Sequence, residues 1–356
     1  MIKKIILLLL IFQLIGCASI GPDIIQASGN DYNVAIQRTS DEQLLLNLVR
    51  LKYRDTPFFL EVNSVSSQFK LFSEAGISAN LKKQNTPETI GLSGKLNFTE
   101  QPTVTYLPLH GDEFIQKLLA PISLETILLL ANSGWSIERI MRLTVQSIND
   151  IPNAPTASGP TPKTVPVYVD FLSIASLFRQ LQSAGAFQLA YNKTETGKQA
   201  TIVFNNKQES LVAQLREKLN LGAQTNYKLS LGQGISNDKQ SIVLSTRSLL
   251  GVMYFLSHSV NVPEKDKLDG KVTIVQDASG KEYDWRDLTQ GLFKINSTTE
   301  INKETVIATN YRGSWFYIDD SDLDTKSTFS LLTQLFSLQS GNAEGITPVL
   351  TLPIGN

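Results

Sequence analysis

The chain of 356 residues holds one cysteine, Cys17, and that limits what it can fold into more than any other feature. With no second thiol, no internal disulfide can form, so the folded body must be held by packing alone. At 42% hydrophobic residues the chain has enough apolar surface for a sizeable core. The cysteine also ends an apolar run: Lys3 and Lys4 open it, and from Ile5 to Ile15 only Gln13 is polar. Crossing a bilayer takes roughly 20 apolar residues, about twice this run, so residues 1–16 read as a secretory signal rather than a membrane span. They are set aside from the fold.

The end of that run, Leu14-Ile15-Gly16-Cys17, resembles the lipobox of bacterial lipoproteins. The resemblance implies cleavage before Cys17, a diacylglyceryl group on its thiol and acyl chains of the palmitate class. The plainer alternative is a chance cysteine beside an ordinary cleavage site. Each buried acyl CH₂ contributes about 0.8 kcal/mol, so two or three chains anchor a protein durably where one does not. In the lipoproteins it resembles, a residue other than Asp after the cysteine goes with outer-membrane delivery, and Ala18 stands there. The expectation is a lipid-anchored protein on the periplasmic face of the outer membrane.

Removing residues 1–16 also removes Lys3 and Lys4, leaving 340 residues with 30 basic against 33 acidic side chains. A net charge near −3 argues against nucleic acid as a partner, because neutralising phosphates needs a basic face. It argues equally against extra electrostatic adhesion to anionic lipid.

Patterning along the chain predicts an α+β fold of antiparallel sheets covered by helices, in two domains joined by a proline-rich linker. Residues 17–38, broken by Gly21-Pro22 and Ser28-Gly29-Asn30, read as a lipidated tether. The N-terminal domain is expected over 39–148. Its first helix starts at a capping box of Ser40 and Gln43, carries a stripe of Leu44, Leu45, Leu48 and Leu51, and stops before Pro57. Short strands at 58–65, 68–72, 76–82, 89–99 and 103–107 suggest a meander. Its cover is expected from a helical stretch 112–148, cut at Pro121 and at Ser133-Gly134.

Five prolines, at 152, 155, 160, 162 and 166, mark 149–166 as the linker or a long loop. The C-terminal domain, 167–356, should alternate helices at 170–184, 208–219 and 248–259 with strand pairs at 187–191 and 200–204, and at 226–231 and 241–245. Further strands are expected at 271–275, 291–295, 305–309, 315–318 and 349–352, and a helix at 323–339. Helices on one face of an antiparallel sheet fit that order.

No catalytic, metal or cofactor constellation stands out. There are two histidines, and neither has a second histidine at metal-ligand spacing. A helix start should disfavour imidazolium at His110, and a helix end should favour it at His258. Gly91-Leu92-Ser93-Gly94 falls one residue short of a nucleophile elbow and lies within an expected strand. The prolines of Gly159-Pro160-Thr161-Pro162-Lys163-Thr164 remove N–H groups that a phosphate loop needs. Gly232-Gln233-Gly234 reads as a hairpin turn. The run Asp319-Asp320-Ser321-Asp322-Leu323-Asp324 suggests calcium, but counting from Asp320 an EF-hand loop would need Gly and Glu where Thr325 and Leu331 stand. A helix cap is the better reading.

Two stretches, 43–62 (QLLLNLVRLKYRDTPFFLEV) and 310–320 (NYRGSWFYIDD), resemble segments of an uncharacterised family of proteobacterial lipoproteins. Together they cover under a fifth of the chain. The resemblance implies an envelope location and carries over no activity or catalytic residue. These stretches concentrate Arg50, Arg54, Asp55, Arg312, Trp315 and Tyr317. Such residues form either ion pairs that dock elements together or an exposed recognition surface, with docking the stronger reading. The expected role is a structural or scaffolding lipoprotein that contacts other envelope proteins through its folded body. A broad apolar stripe on the last helix, including Phe329, Leu332, Leu335 and Phe336, fits burial on two sides, and a single intramolecular core would explain it as well. The competing expectation is an envelope hydrolase or small-ligand-binding lipoprotein with acid groups among Glu61, Asp319, Asp320 and Asp322.

Overall fold

Helix α1 (Ile20–Lys52) runs 33 residues and buries Leu45, Leu48, Val49 and Leu51 along one side. The computed structural model describes residues 20–80, 89–109, 111–194, 197–232, 238–300 and 307–340. Cys17, His110 and the expected strand 349–352 lie outside them. The leucine stripe is buried as expected, but the helix begins about twenty residues before Ser40. Gly21-Pro22 falls within its first turn, where a proline is tolerated because the N–H it lacks would have no partner there. Among the described residues, no helix is long and apolar enough to cross a membrane.

The fold is α+β, with predominantly antiparallel sheets covered by helices. Contacts divide the chain into two units, residues 59–109 and the rest, so a single unit spans both sides of 149–166. The smaller unit is one hairpin, β1 (Leu60–Asn80) against β2 (Thr89–Pro108), rather than a meander. The breaks expected between the short strands at 58–65, 68–72 and 76–82, and between 89–99 and 103–107, instead lie inside two continuous strands.

In the larger unit, α2 (Asp112–Leu119), α3 (Leu124–Asn132) and α4 (Ile137–Thr144) are separated where the sequence indicated. Ser123 and Ser136 cap α3 and α4, accepting from the Thr126 and Arg139 N–H groups. The expected helix to 148 stops short, because 145–148 form strand β3 (Val145–Ile148). After β4 (Ile151–Pro152) come a 3₁₀ turn (Pro155–Ser158), α5 (Val169–Ser183), β5 (Phe187–Thr194) and β6 (Gly197–Phe204). Then follow α6 (Glu209–Leu219), β7 (Asn226–Leu231), β8 (Ser241–Thr246) and α7 (Leu249–Ser257).

The six strands order as β4-β3-β8-β7-β6-β5. Segment 149–166 is therefore not a free linker: β4 pairs with β3, and Asn153, Ala154 and Ala157 are fully buried. β7 and β8 pair in parallel, so the two are not joined as the hairpin expected at Gly232. Helices α3, α4 and α5 cover one face, where Ile127, Met141 and Phe178 border the same small apolar cavity as Leu189, Ile202 and Leu229.

Short helices α8 (Glu264–Leu268) and α9 (Arg286–Thr289) lead to a second sheet, ordered β10-β11-β9. Its strands are β9 (Asn296–Thr298), β10 (Ile307–Tyr311) and β11 (Ser314–Ile318), and α10 (Leu323–Ser340) follows. The strands expected at 271–275 and 291–295 are not formed; residues there lie in loops tied by isolated bridges such as Val260 to Ile295. Phe329, Leu332 and Leu335 of the last helix are buried, and Phe336 meets Phe114 edge to face.

Candidate functional site

The C-terminal end of α1 meets the tip of the β10–β11 hairpin. Arg312 and Gly313 make its two-residue turn with φ of 51° and 84°, the paired positive values that a type I′ hairpin turn requires. Beyond α1 the chain reverses at Arg54, itself at φ 61°, and Asn47 holds the emerging segment by accepting from the Phe58 N–H at 2.9 Å and donating to its carbonyl at 2.8 Å.

This geometry unites four of the six sequence-predicted residues. Asp55 pairs with Arg312 at 2.9 Å and also accepts from the Tyr311 hydroxyl. Burial works to raise the Asp55 carboxyl, but the hydrogen bonds from Tyr311 and Arg312 and the nearby charges of Arg312 and Arg50 prevail and hold it below the usual range. The Arg312 guanidinium lies 5.0 Å from the Tyr53 ring and 5.5 Å from that of Tyr311. Arg54 donates to the Thr273 hydroxyl. Trp315 and Tyr317 alternate with the fully buried Phe316 on β11, so they occupy the sheet face opposite the one that meets Tyr53.

Tyr53 extends the network inward, donating to Asp266 at 2.6 Å, while Lys271 pairs with the same carboxylate at 2.7 Å. Asp266 is buried, which favours its neutral form, yet the hydrogen bonds from Lys271 and Tyr53 and the neighbouring cations outweigh this and keep its carboxyl low. Asp55 and Tyr53 at the helix end are thus each engaged by a distant part of the chain, Arg312 and Asp266, the arrangement expected of a docking joint.

A cleft of about 430 Å³ that sequence reasoning missed opens nearby, with Lys52, His258, Lys267, Glu282, Trp285 and Arg286 among its walls. The His258 ring stacks on Trp285, centroids 4.2 Å apart, and its Nε2–H donates to the Ala157 carbonyl at 3.1 Å. Burial, with Lys52 adding to it, drives the His258 pKa down to about 3, against the pull of that hydrogen bond. The helix-end argument for imidazolium is thus overturned: desolvation of the buried ring exceeds the attraction of a helix C-terminus.

Lys52 donates to the His258 carbonyl at 3.3 Å, and burial together with Lys267 lowers its pKa to about 8, Glu282 opposing. An amine so lowered is a cation that can hold an anion near neutral pH and is partly neutral at mildly alkaline pH, where it can take up a proton. No local motif marks it, because Lys52 merely ends the leucine-striped helix.

The acidic run behaves as a helix start. Asp322 caps α10, one carboxylate oxygen accepting from the Thr325 N–H at 3.0 Å and the other from its hydroxyl at 2.8 Å. Asp319 accepts from Ser321 within its turn, and Asp320 pairs with Lys326 at 2.6 Å. Asp322→Ala should therefore cost about 1 kcal/mol, seen as a lower urea midpoint for the Cys17→Ser protein. Among the described residues, no group of three or more His, Cys, Asp or Glu side chains could hold a metal ion.

No protein-family model matches the chain, and no curated protein or solved structure matches it either.

Proposed function

We propose that this chain is a lipoprotein anchored through Cys17 to the periplasmic face of the outer membrane, where its body serves as a structural part of an envelope protein assembly. The observation that carries the reading is the lone cysteine at the end of an eleven-residue apolar run, in the setting Leu14-Ile15-Gly16-Cys17. A scaffolding role is supported by how the polar residues singled out in the sequence are used. Asp55 and Arg312 lock elements together, joined by Tyr53 and Asp266, which the sequence did not mark, and Asp319, Asp320 and Asp322 serve a turn, an ion pair and a cap. The partners are other proteins of the envelope, with no nucleic acid among them.

The test is Cys17→Ser expressed with its signal intact. The wild-type protein should sediment with membranes and show a diacylated, acylated N-terminal cysteine by mass spectrometry, while the variant should be recovered in the soluble periplasmic fraction. A wild-type protein beginning at Met1, or carrying an unmodified Cys17, would defeat the anchor. Capture from gently solubilised membranes should then recover the chain in a large complex.

The cleft beside Lys52 favours a second reading, a small-ligand-binding or hydrolytic lipoprotein. It gains ground if the purified protein is monomeric and a small anion protects it from thermal unfolding in a manner that Lys52→Met abolishes.

A further inference from the structure

Residues 59–109 form a unit of their own, a two-stranded sheet whose strands each have one edge without a neighbour among the described residues. Ribbons of that kind are marginal in water by themselves, and open edges call for further strands. The register sorts the residue types to an unusual degree. Even positions of β2 hold Ile90, Leu92, Leu96, Phe98, Val104 and Tyr106, whereas odd positions hold Ser93, Lys95, Asn97, Thr99, Gln101 and Thr103.

On β1 the positions paired with the apolar set are mostly apolar too: Ala79 faces Ile90, Ile77 faces Leu92 and Leu71 faces Phe98, while Ser73 stands opposite Leu96. The one charged residue on that face of the two strands is Glu100, opposite Phe69. At the base of the hairpin, Val104 and Tyr106 are exposed. One face is thus predominantly apolar and the other predominantly polar, with Ser73 and Phe72 as exceptions on their respective faces.

The apolar face has a telling length. From Phe69 to Ala79 is eleven residues, and a strand tilted about 45° needs roughly 9–11 to cross the hydrocarbon core. At about 3.3 Å per residue this gives a band near the ~25 Å of membrane barrels. Glu100 marks one end of the band.

We propose that this hairpin is a membrane-inserting element, its apolar face against lipid and its edges paired with the hairpins of further copies of this chain in a closed, shared β-barrel with a polar lumen. Closure is required because hydrocarbon offers no partner for backbone N–H and C=O groups, so an open edge cannot remain there. The residues alternate as barrel strands do, apolar outward and polar inward. The inference rests on the proposed membrane anchor for its setting, since a lipidated Cys17 would hold every copy at the bilayer.

The test uses the full lipidated protein in vesicles of phosphatidylcholine and phosphatidylglycerol loaded with a fluorescent dye. The wild type should release dye and run as a discrete oligomer in detergent. Leu92→Lys should cut release by roughly tenfold, as expected of a cation on a lipid-facing position, and Thr99→Lys should leave it largely intact.

Because a lipidated Cys17 has no free thiol, Leu92→Cys or Ser93→Cys would introduce the sole labelling site. A dye at 92 should report hydrocarbon and resist aqueous iodide, while one at 93 should be quenched. This holds even if Leu92→Lys misfolds. Vesicle-bound protein that releases nothing, with labels at 92 and 93 equally quenched, would overturn the proposal. An unmodified Cys17 in the mass spectrum would defeat the anchor instead, and the release and labelling results on reconstituted protein would still decide the hairpin.

Discussion

Arg247→Ala should be the most damaging single substitution in the larger unit, lowering its stability by about 3–5 kcal/mol. Arg247 is 1% exposed, and among the described residues its guanidinium meets no carboxylate. Its donors go to main-chain carbonyls instead: Nη1 reaches those of Arg142, Leu143 and Val145 at 2.8–3.1 Å, and Nη2 reaches that of Asn153. Nε donates to the Ser158 hydroxyl at 2.9 Å, and the plane lies 4.1 Å from the Phe255 ring. One side chain thus ties the α4–β3 junction, the segment after β4 and the 3₁₀ turn to helix α7.

Alanine would leave those carbonyls facing a cavity, each loss costing about 1–3 kcal/mol before relaxation. Removing a buried charge whose pKa has fallen to about 9 through burial offsets part of this. Lysine keeps the charge but cannot fan out to five acceptors, so Arg247→Lys should recover only part of the loss. Urea unfolding of the Cys17→Ser body measures both variants. A midpoint for Arg247→Ala within error of the parent would show that the carbonyls find other partners.

Arg247 also shows why part of this molecule could not be read from sequence. Elements announced by their own residues emerge near their expected places: α5, α6, α7 and α10, and the β5–β6 hairpin, each carry periodicity and a local start or stop. The failures come from partners distant in the chain. Proline-rich 149–166 looks like a linker until Asn153 is seen donating to the Arg142 and Val145 carbonyls, which makes it an internal layer. Strands β7 and β8 resemble a hairpin because parallel pairing leaves no mark in two short alternating runs. In β1 and β2, short alternating runs suggested separate strands, and only the register reveals two long continuous ones. At the docking joint, residue types were informative and geometry was not: Asp55 and Arg312 were singled out, but Asp266 and Lys271 were missed because no motif connects residues over 200 positions apart.

Acid should destabilise the body well before its carboxylates titrate, and His258→Gln should remove most of that sensitivity. The His258 pKa stands at about 3 in the fold against 6.5 for the free side chain, chiefly because burial penalises the imidazolium. A group lowered on folding binds more protons in the unfolded chain over the interval between the two values, so stability is full above about pH 6.5 and declines as pH falls toward 3. By pH 4.5 the loss should reach about 2–3 kcal/mol. Asp55 and Asp266 are also lowered in the fold, but their contribution is present above the ordinary carboxylate pKa and disappears only below it, so the interval from pH 6.5 to 4.5 isolates the histidine. Glutamine retains an N–H for the Ala157 carbonyl and does not protonate. Its urea midpoint should therefore vary much less than the parent's between pH 7 and pH 4.5. Equal slopes for parent and variant would mean that the ring protonates in place and that the stack on Trp285 opens to water at little cost.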